Sequence, residues 1–235
     1  MGAPAVVPIR ACRVTLPPSH PEGPGPCDVF VFLVRAQLSA YLVDTGVGIG
    51  CEPIERYYQP KRADLLEELA RHGIRPADLA GIICSHLHFD HCGNNRLFPG
   101  VPIFVQRLEY EAALAEGYTV PKWLRFEGSQ YRLLDGSANL NPRVRIVATP
   151  GHTIGHQSVA VFDSDEPALV VAQAAYSAAE FQSYLTPRPQ ARDDVWSMRA
   201  YAKSVHSLHQ LRPCVAYFTH DATVWKPETR DRRYA

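Results

Sequence analysis

Neither sign of charge prevails in this chain. Lys+Arg and Asp+Glu number 24 each over 235 residues, so the formal net charge is zero. A dedicated nucleic-acid binder carries a basic excess, and the longest basic cluster here is Arg230, Arg232 and Arg233, so nucleic acid is not the expected partner. Long apolar runs are missing too. The strongest, Ala168–Ala175, falls far short of the ~20 residues that cross a bilayer, so no membrane association is expected. The six cysteines, at 12, 27, 51, 84, 92 and 214, form no CxxC pair, and their irregular spacing reads as reduced thiols and not a disulfide framework. The first residues lack the charged and then apolar segments of a secretory signal. Together these give the expectation of a cytoplasmic protein. Low-complexity tracts and short repeats are also absent.

What is present is globular: 46% hydrophobic, 10% aromatic and 20% charged residues. A chain of this size buries roughly 70% of its unfolded surface and needs no staple to hold a core. A single domain over residues 1–235 is the expectation. Strand-like segments alternate with helical ones. Cys27–Arg35, Leu38–Asp44, Leu79–Cys84, Val101–Val105, Val144–Ala148, Gln157–Phe162, Ala168–Ala172 and Val215–Phe218 are β-branched and apolar. Ala63–His72 places leucines at 65, 66 and 69 and ends at Gly73, a helix with its C′ glycine. Leu108–Ala115 and Asp193–Leu211 are the other helices, the latter with Asp193 or Asp194 as N-cap and Pro213 past its end. A mixed sheet with helices outside is the minimal inference, and periodicity leaves open whether there is one sheet or two.

The polar, histidine-rich stretches each follow a strand. The densest is Ser85-His86-Leu87-His88-Phe89-Asp90-His91. On an extended backbone, residues i and i+2 point the same way, so His86 and His88 reach one ion together. Asp90 and His91 follow where the chain must turn and face a second ion. His152 lies in Thr149-Pro150-Gly151-His152 and His220 in Phe218-Thr219-His220-Asp221. Imidazole and carboxylate suit Zn²⁺ and also Fe, Mn or Co. Burying so many polar groups with no ion would leave donors and acceptors unpaired. His20, His72, His206 and His209 read as ordinary residues, and Cys84 as a small buried hydrophobe.

SHLHFDHCGN, TPGHTIGH and FTHD resemble the metallo-β-lactamase superfamily, and within it the N-acyl homoserine lactone lactonases. Tyr41-Leu42-Val43-Asp44-Thr45-Gly46, Val105 to Leu114 and Gly155-His156-Gln157-Ser158 continue the likeness, over roughly residues 28 to 221. The resemblance implies an α/β (α+β) fold, an αββα sandwich of two mixed sheets flanked by helices. It implies His86, His88 and His152 as ligands of a first metal, and Asp90, His91 and His220 as ligands of a second, with one or two Zn²⁺ per chain. Asp44 and His156 look like groups that orient ligands. The family also has an aspartate bridging both metals. The matching position here is Gln173, in Val170-Val171-Ala172-Gln173-Ala174-Ala175-Tyr176. A neutral amide supplies none of the charge that holds two dications together.

The chemistry implied is hydrolysis of a lactone or similar ester by metal-bound hydroxide. Tyr176 would donate to the carbonyl or oxyanion, and Asp90 would orient the nucleophile and pass a proton to the leaving alkoxide. Phe89, Tyr176 and Trp123 are the expected substrate contacts. Tyr118, Pro121 and Phe126 join Trp123 as an acyl lid or a covering loop, and Gln182–Pro189 is a second candidate wall. Two alternatives remain open: another acyl or thioester hydrolase on the same scaffold, including one that tailors natural products, and a catalytically silent binding protein, which Gln173 keeps in view. The partner is a small molecule in the enzyme readings. Oligomeric state is not legible.

Overall fold

Residues of alternating parity in the strands face two different environments, and that alternation builds the architecture. The computed structural model describes residues 5–20, 23–183 and 195–227. A seven-stranded sheet runs β4 (Lys61–Arg62), β1 (Val6–Leu16), β2 (Gly25–Ala36), β3 (Ser39–Val43), β5 (Leu79–Ile83), β6 (Pro102–Gln106) and β7 (Gln130–Leu134). A five-stranded sheet runs β12 (Val215–Phe218), β11 (Ala168–Ala172), β10 (Gln157–Val161), β9 (Val144–Ala148) and β8 (Ala138–Asn141). Both sheets are mixed. β3, β5, β6 and β7 are parallel beside an antiparallel β4–β1–β2–β3 half. β12 is parallel to β11 in an otherwise antiparallel sheet.

In β2, Phe32 and Val34 face inward, where Tyr41, Val43 and Ile83 of the same sheet meet Ile146, Val159, Val161 and Val170 of the other. Val31 and Leu33 face out and pack with Leu42, Ile82 and Ile103 beneath α2 (Leu65–Arg71), which contributes Leu65 and Leu69. On the opposite flank, Leu169, Val171, Ala216 and Phe218 pack against Phe181 of α6 (Ala178–Ser183) and Tyr201, Val205 and Leu208 of α7 (Val195–Gln210). The layers are therefore helix, sheet, sheet, helix, the expected αββα sandwich. Each buried Leu, Val or Phe contributes on the order of 1.5–3 kcal/mol.

The expected elements recur within a residue or two at their ends, as helix and strand termini commonly do, except that the helix expected over Leu108–Ala115 stops at Ala112. Asp64 caps α2, accepting from Leu66 N at 3.0 Å and Glu67 N at 3.1 Å, which contributes about 1 kcal/mol. Asp193 and Asp194, the expected caps of α7, lie outside the described residues, as do Tyr184 to Pro189 of the candidate wall. Strand β1 was not legible. Pro8 and the polar positions Arg10 and Arg13 interrupt its apolar pattern, and a bulge between Arg10 and Cys12 shifts its register. Proline and charge are features of a strand near a sheet edge, where only β4 lies beyond β1. The short β7 and β8 and the helices α1 (Glu52–Tyr58), α5 (Pro121–Leu124) and α6 were also unmarked by periodicity.

The polar stretches sit where β3, β5, β9, β11 and β12 end. Gln157 joins the two sheets at that edge: its N–H donates to Ser85 O at 2.8 Å and its side-chain amide to Cys84 O at 2.8 Å. Loops held on such a rigid edge bring distant residues together.

Candidate metal centre

β5 delivers an extended segment in which His86 and His88 point to one side, as the i, i+2 spacing requires. The loop after β9 brings His152 to them. His86 Nε2 lies 3.1 Å from His88 Nδ1 and 3.2 Å from His152 Nε2, and the latter two nitrogens are 3.3 Å apart. Nitrogens about 2.0–2.1 Å from a tetrahedral zinc stand roughly 3.3–3.4 Å from one another, so this triangle has the dimensions of one face of such a site. Burial and the surrounding imidazoles hold the His86 pKa well below the usual histidine range, which keeps the ring neutral, the form that ligates.

The turn expected after His88 is α3 (Phe89–Cys92), a single short helical turn. It places Asp90 Oδ2 3.6 Å from His91 Nε2 and 3.5 Å from His220 Nε2, the last from the loop after β12. The rings of His86 and His91 are 3.8 Å apart, so the two clusters adjoin. Asp44 follows β3 at φ +60°, a left-handed conformation that Asp tolerates better than most residues. Its fully buried carboxylate accepts from Ser85 N at 2.7 Å and Ser85 Oγ at 2.8 Å, and lies 2.8 Å from His91 Nδ1. His91 Nε2 is buried without a hydrogen-bond partner, and so is Gln173 Oε1. Burial disfavours charge on His91, but Asp90 and Asp44 outweigh it and raise its pKa. The same two carboxylates favour any cation beside the ring. Orphaned lone pairs, neutral imidazoles and nearby anions fit a divalent metal.

Packing behind the motif is tight. Gly93 N donates to Gly46 O at 2.9 Å, and a Cβ at Gly93 would meet Gly48 N at 2.0 Å, so no larger residue fits there. His156 spends both ring nitrogens on the frame: Nδ1 on Thr149, at 2.9 Å from Oγ1 and 3.1 Å from the carbonyl, and Nε2 on Gln173 N at 3.2 Å. Burial pushes its pKa down to about 3. It orients loops and has no nitrogen left for an ion. Ala172, at φ +54°, turns the end of β11 so that Gln173 enters the pocket wall lined also by both clusters.

Tyr176 lies between the clusters. Its hydroxyl is 3.2 Å from His152 Nδ1, its ring stacks on His220 with centroids 6.0 Å apart, and its N–H donates to Glu180 Oε2 at 2.7 Å. The clusters and Tyr176 border a cavity of about 650 Å³. Phe89 lines it, its ring tilted against that of Tyr58 with centroids 4.7 Å apart. Tyr118 lines it too. Trp123 does not. It is wholly buried in a core with Val14, Val29 and Val47, and its Nε1 donates to Ile49 O at 3.3 Å. The expectation of a substrate contact at Trp123 is corrected: α5 turns the indole inward, against Gly48. Phe126 likewise packs into the outer core of the larger sheet. His20, read as an ordinary residue, lines the cavity, and so do Asp28, Tyr58 and Asp221. Only Asp221, adjoining His220, carried any signal in sequence. His209, read as structural, stacks on Phe181 at 4.1 Å.

No helix among the described residues is long and apolar enough to cross a membrane. A sequence profile of the Metallo-beta-lactamase superfamily matches residues 24–220. An N-acyl homoserine lactonase from Bacillus sp is 32% identical over 207 residues, covering 82% of this chain and 81% of that protein. The N-acyl homoserine lactonase AiiA of Bacillus thuringiensis subsp. kurstaki is 31% identical over 206 residues, with the same coverage. A solved N-acyl homoserine lactone hydrolase, with the product N-hexanoyl-L-homoserine bound at its catalytic metal center, superposes with a TM-score of 0.77 at 30% identity, covering 94% of this chain and 95% of that one. With the αββα layers and the two histidine clusters at their shared edge, these likenesses show that the chain belongs to the metallo-beta-lactamase superfamily.

Proposed function

We propose that the protein is a metal-dependent hydrolase that opens lactones or similar esters, with N-acyl homoserine lactones as its substrate class. The observation that carries this reading is the placement of both ligand clusters and Tyr176 beside a cavity of about 650 Å³ whose lining holds no Lys or Arg among the described residues. Such a lining suits a neutral ester. A phosphodiester or carboxylate substrate would call for a cationic partner. Val14, Leu16, Pro26, Tyr58 and Phe89 give one side of the cavity an apolar character that matches an acyl chain. The lactonase relatives support the same class.

His86, His88 and His152 would hold one ion, and Asp90, His91 and His220 a second. Five imidazoles and one carboxylate favour Zn²⁺, with Fe, Mn or Co as substitutes. When bound, the metal supplies a nucleophile from water at neutral pH and polarises the carbonyl. The residues do the rest. With Nε2 of His152 turned to the cluster, its Nδ1–H donates to the Tyr176 oxygen, and the phenolic proton is free to bond the substrate carbonyl as charge develops on it. Asp90 sits where a carboxylate oxygen can take up a proton and return it to the departing alkoxide. The apolar wall orients the acyl chain and excludes water. The domain is read as residues 1–235 and its compartment as the cytoplasm, where six cysteines that form no disulfide stay reduced.

The test is ring opening of N-acyl homoserine lactones by protein loaded with Zn²⁺, followed by acid release at fixed pH and by chromatography of the acyl homoserine product. Activity should vanish in chelator and return with the ion. Absence of turnover with every acyl length, by fully loaded protein, overturns the reading. Gln173 favours a second reading, a hydrolase of related acyl substrates such as thioesters, so an acyl thioester belongs in the same panel.

A further inference from the structure

We propose that Glu109 is a positioning residue that sets the geometry of the three-imidazole cluster and ties it to the wall of the substrate cavity. Glu109 lies on α4 (Arg107–Ala112), follows β6, and is fully buried. A buried carboxylate is costly unless its oxygens are satisfied, and each of these oxygens receives two donors. Oε1 accepts from Leu87 N at 2.9 Å and from Tyr118 Oη at 2.5 Å. Oε2 accepts from Thr153 Oγ1 at 2.6 Å and from Gly155 N at 3.2 Å.

The donors belong to different parts of the site. Leu87 is the residue between His86 and His88. Thr153 and Gly155 belong to the loop that carries His152. The three imidazoles therefore arrive on two loops that one carboxylate bridges, one oxygen per loop, in addition to the Gln157 bonds to Cys84 and Ser85 at the base of the same loops. Tyr118 borders the cavity with its ring 5.0 Å from that of His88, so the same carboxylate also fixes a wall of the pocket. The fit is close: a Cβ at Gly155 would lie 2.4 Å from Glu109 Cβ, so the loop reaches the carboxylate only with glycine at 155. Thr149, Ser85 and Asp44 orient individual rings. Glu109 alone among these groups binds both loops of the first cluster.

The inference rests on the metal-site reading proposed above and not on the choice of substrate, because it is read from metal binding with no substrate present. Co²⁺ is titrated by its visible absorption into two backgrounds, His220→Ala, which leaves the three-imidazole cluster, and His86→Ala, which leaves the Asp90 cluster. In the first background, Glu109→Gln should weaken Co²⁺ binding roughly 10- to 100-fold, the usual cost of losing a group that orients ligands, and should alter the ligand-field band. Its amide turns an NH₂ toward one of the two donor pairs, Leu87 N with Tyr118 Oη or Thr153 Oγ1 with Gly155 N, and the backbone N–H of that pair loses its acceptor. In the second background, Glu109→Gln should leave the affinity at the value of His86→Ala alone. Thr153→Val covers the case in which Glu109→Gln does not fold. It removes one donor to Oε2, and should weaken the first cluster while the unfolding midpoint in chelator stays close to wild type. Tyr118→Phe should leave Co²⁺ affinity unchanged and raise KM for whichever acyl substrate is turned over. Unchanged Co²⁺ affinity in both Glu109→Gln and Thr153→Val, or equal losses in both backgrounds, overturns the proposal. Loss of lactone turnover with these Co²⁺ results intact would count against the substrate reading only.

Discussion

Asp44 Oδ2 lies 2.8 Å from His91 Nδ1, and His91 Nε2, at the other side of the ring, is buried without a hydrogen-bond partner. The carboxylate fixes the tautomer: the proton sits on Nδ1 and the lone pair on Nε2 is presented to Asp90 and His220. Asp44→Asn keeps the left-handed backbone accessible, since Asn also tolerates it, but removes the charge and one acceptor. Metal affinity at the Asp90 cluster should fall roughly 10- to 100-fold, with a smaller effect on the three-imidazole cluster. Metal titration monitored by calorimetry checks this, and an unchanged second binding step would mean that Asp44 is only a turn residue.

His86→Ala takes one of three nitrogens from the first cluster, and the His86 ring also adjoins that of His91, with centroids 3.8 Å apart. The ion of the three-imidazole cluster and hydrolysis should be lost together, while the Asp90 cluster keeps its own ligands. Elemental analysis beside a hydrolysis assay tests the pair. Full metal with full activity in this variant would show that the ion lies elsewhere.

Tyr176→Phe separates binding from chemistry. The phenol is not a ligand, so metal content should persist. kcat should fall about 10- to 100-fold, the order expected for one transition-state donor, with little change in KM. A steady-state comparison at saturating Zn²⁺ is sufficient. An unchanged kcat would reduce Tyr176 to the ring stacked on His220 and bonded to His152.

Trp123→Ala tests a position where the sequence pattern and the fold disagree. Tyr118, Pro121, Trp123 and Phe126 form one aromatic stretch in sequence, yet only Tyr118 of the four lines the cavity. The wholly buried indole predicts a stability loss of about 3–5 kcal/mol, read as a lower denaturation midpoint, with KM unchanged for protein that remains folded. A raised KM without loss of stability would return Trp123 to the substrate site.

The pattern of legibility has a physical basis. His86 and His88 could be read together because metal chemistry admits few residue types and strand geometry fixes their spacing, whereas grouping His152 with them, and His220 with Asp90 and His91, rested on the family resemblance, since the fold brings those loops together from distant parts of the chain. Strands β2, β3, β5 and β11 could be read because near-continuous burial demands β-branched and apolar residues. Strand β1 could not, because its polar positions and Pro8 break the alternation. The partners that hold the ligands were less legible than the ligands. Glu109 sits in a helix that looks amphipathic and ordinary, and its four donors come from residues 87, 118, 153 and 155, which only the folded chain assembles. His20 and Asp28 reach the cavity through the β1–β2 connection and the start of β2, and no local motif marks them.

Gln173 is where charge at the site should be limiting. The side chain is 5% exposed, its Oε1 has no partner, and it shares the cavity wall with both clusters. The six candidate ligands carry one carboxylate, Asp90, against the four positive charges of two divalent ions. Gln173 adds an oxygen but no charge. Gln173→Asp should add an anion where both clusters feel it, so metal content after identical loading and washing should rise toward two per chain. In chelator the sign reverses. A new buried carboxylate near Asp90, with no cation beside it, costs stability, and the shorter side chain leaves a small gap. The unfolding midpoint should therefore fall without metal, and the gain on adding Zn²⁺ should be larger than in wild type, as ligand linkage requires. If the enzyme is a lactonase limited by its second ion, lactone turnover should rise with metal content. If it is fitted to another acyl substrate, metal content should rise while that reaction slows. Elemental analysis of the two proteins decides the charge argument first: two ions per chain in both, under the same conditions, would show that the neutral amide does not weaken the second site.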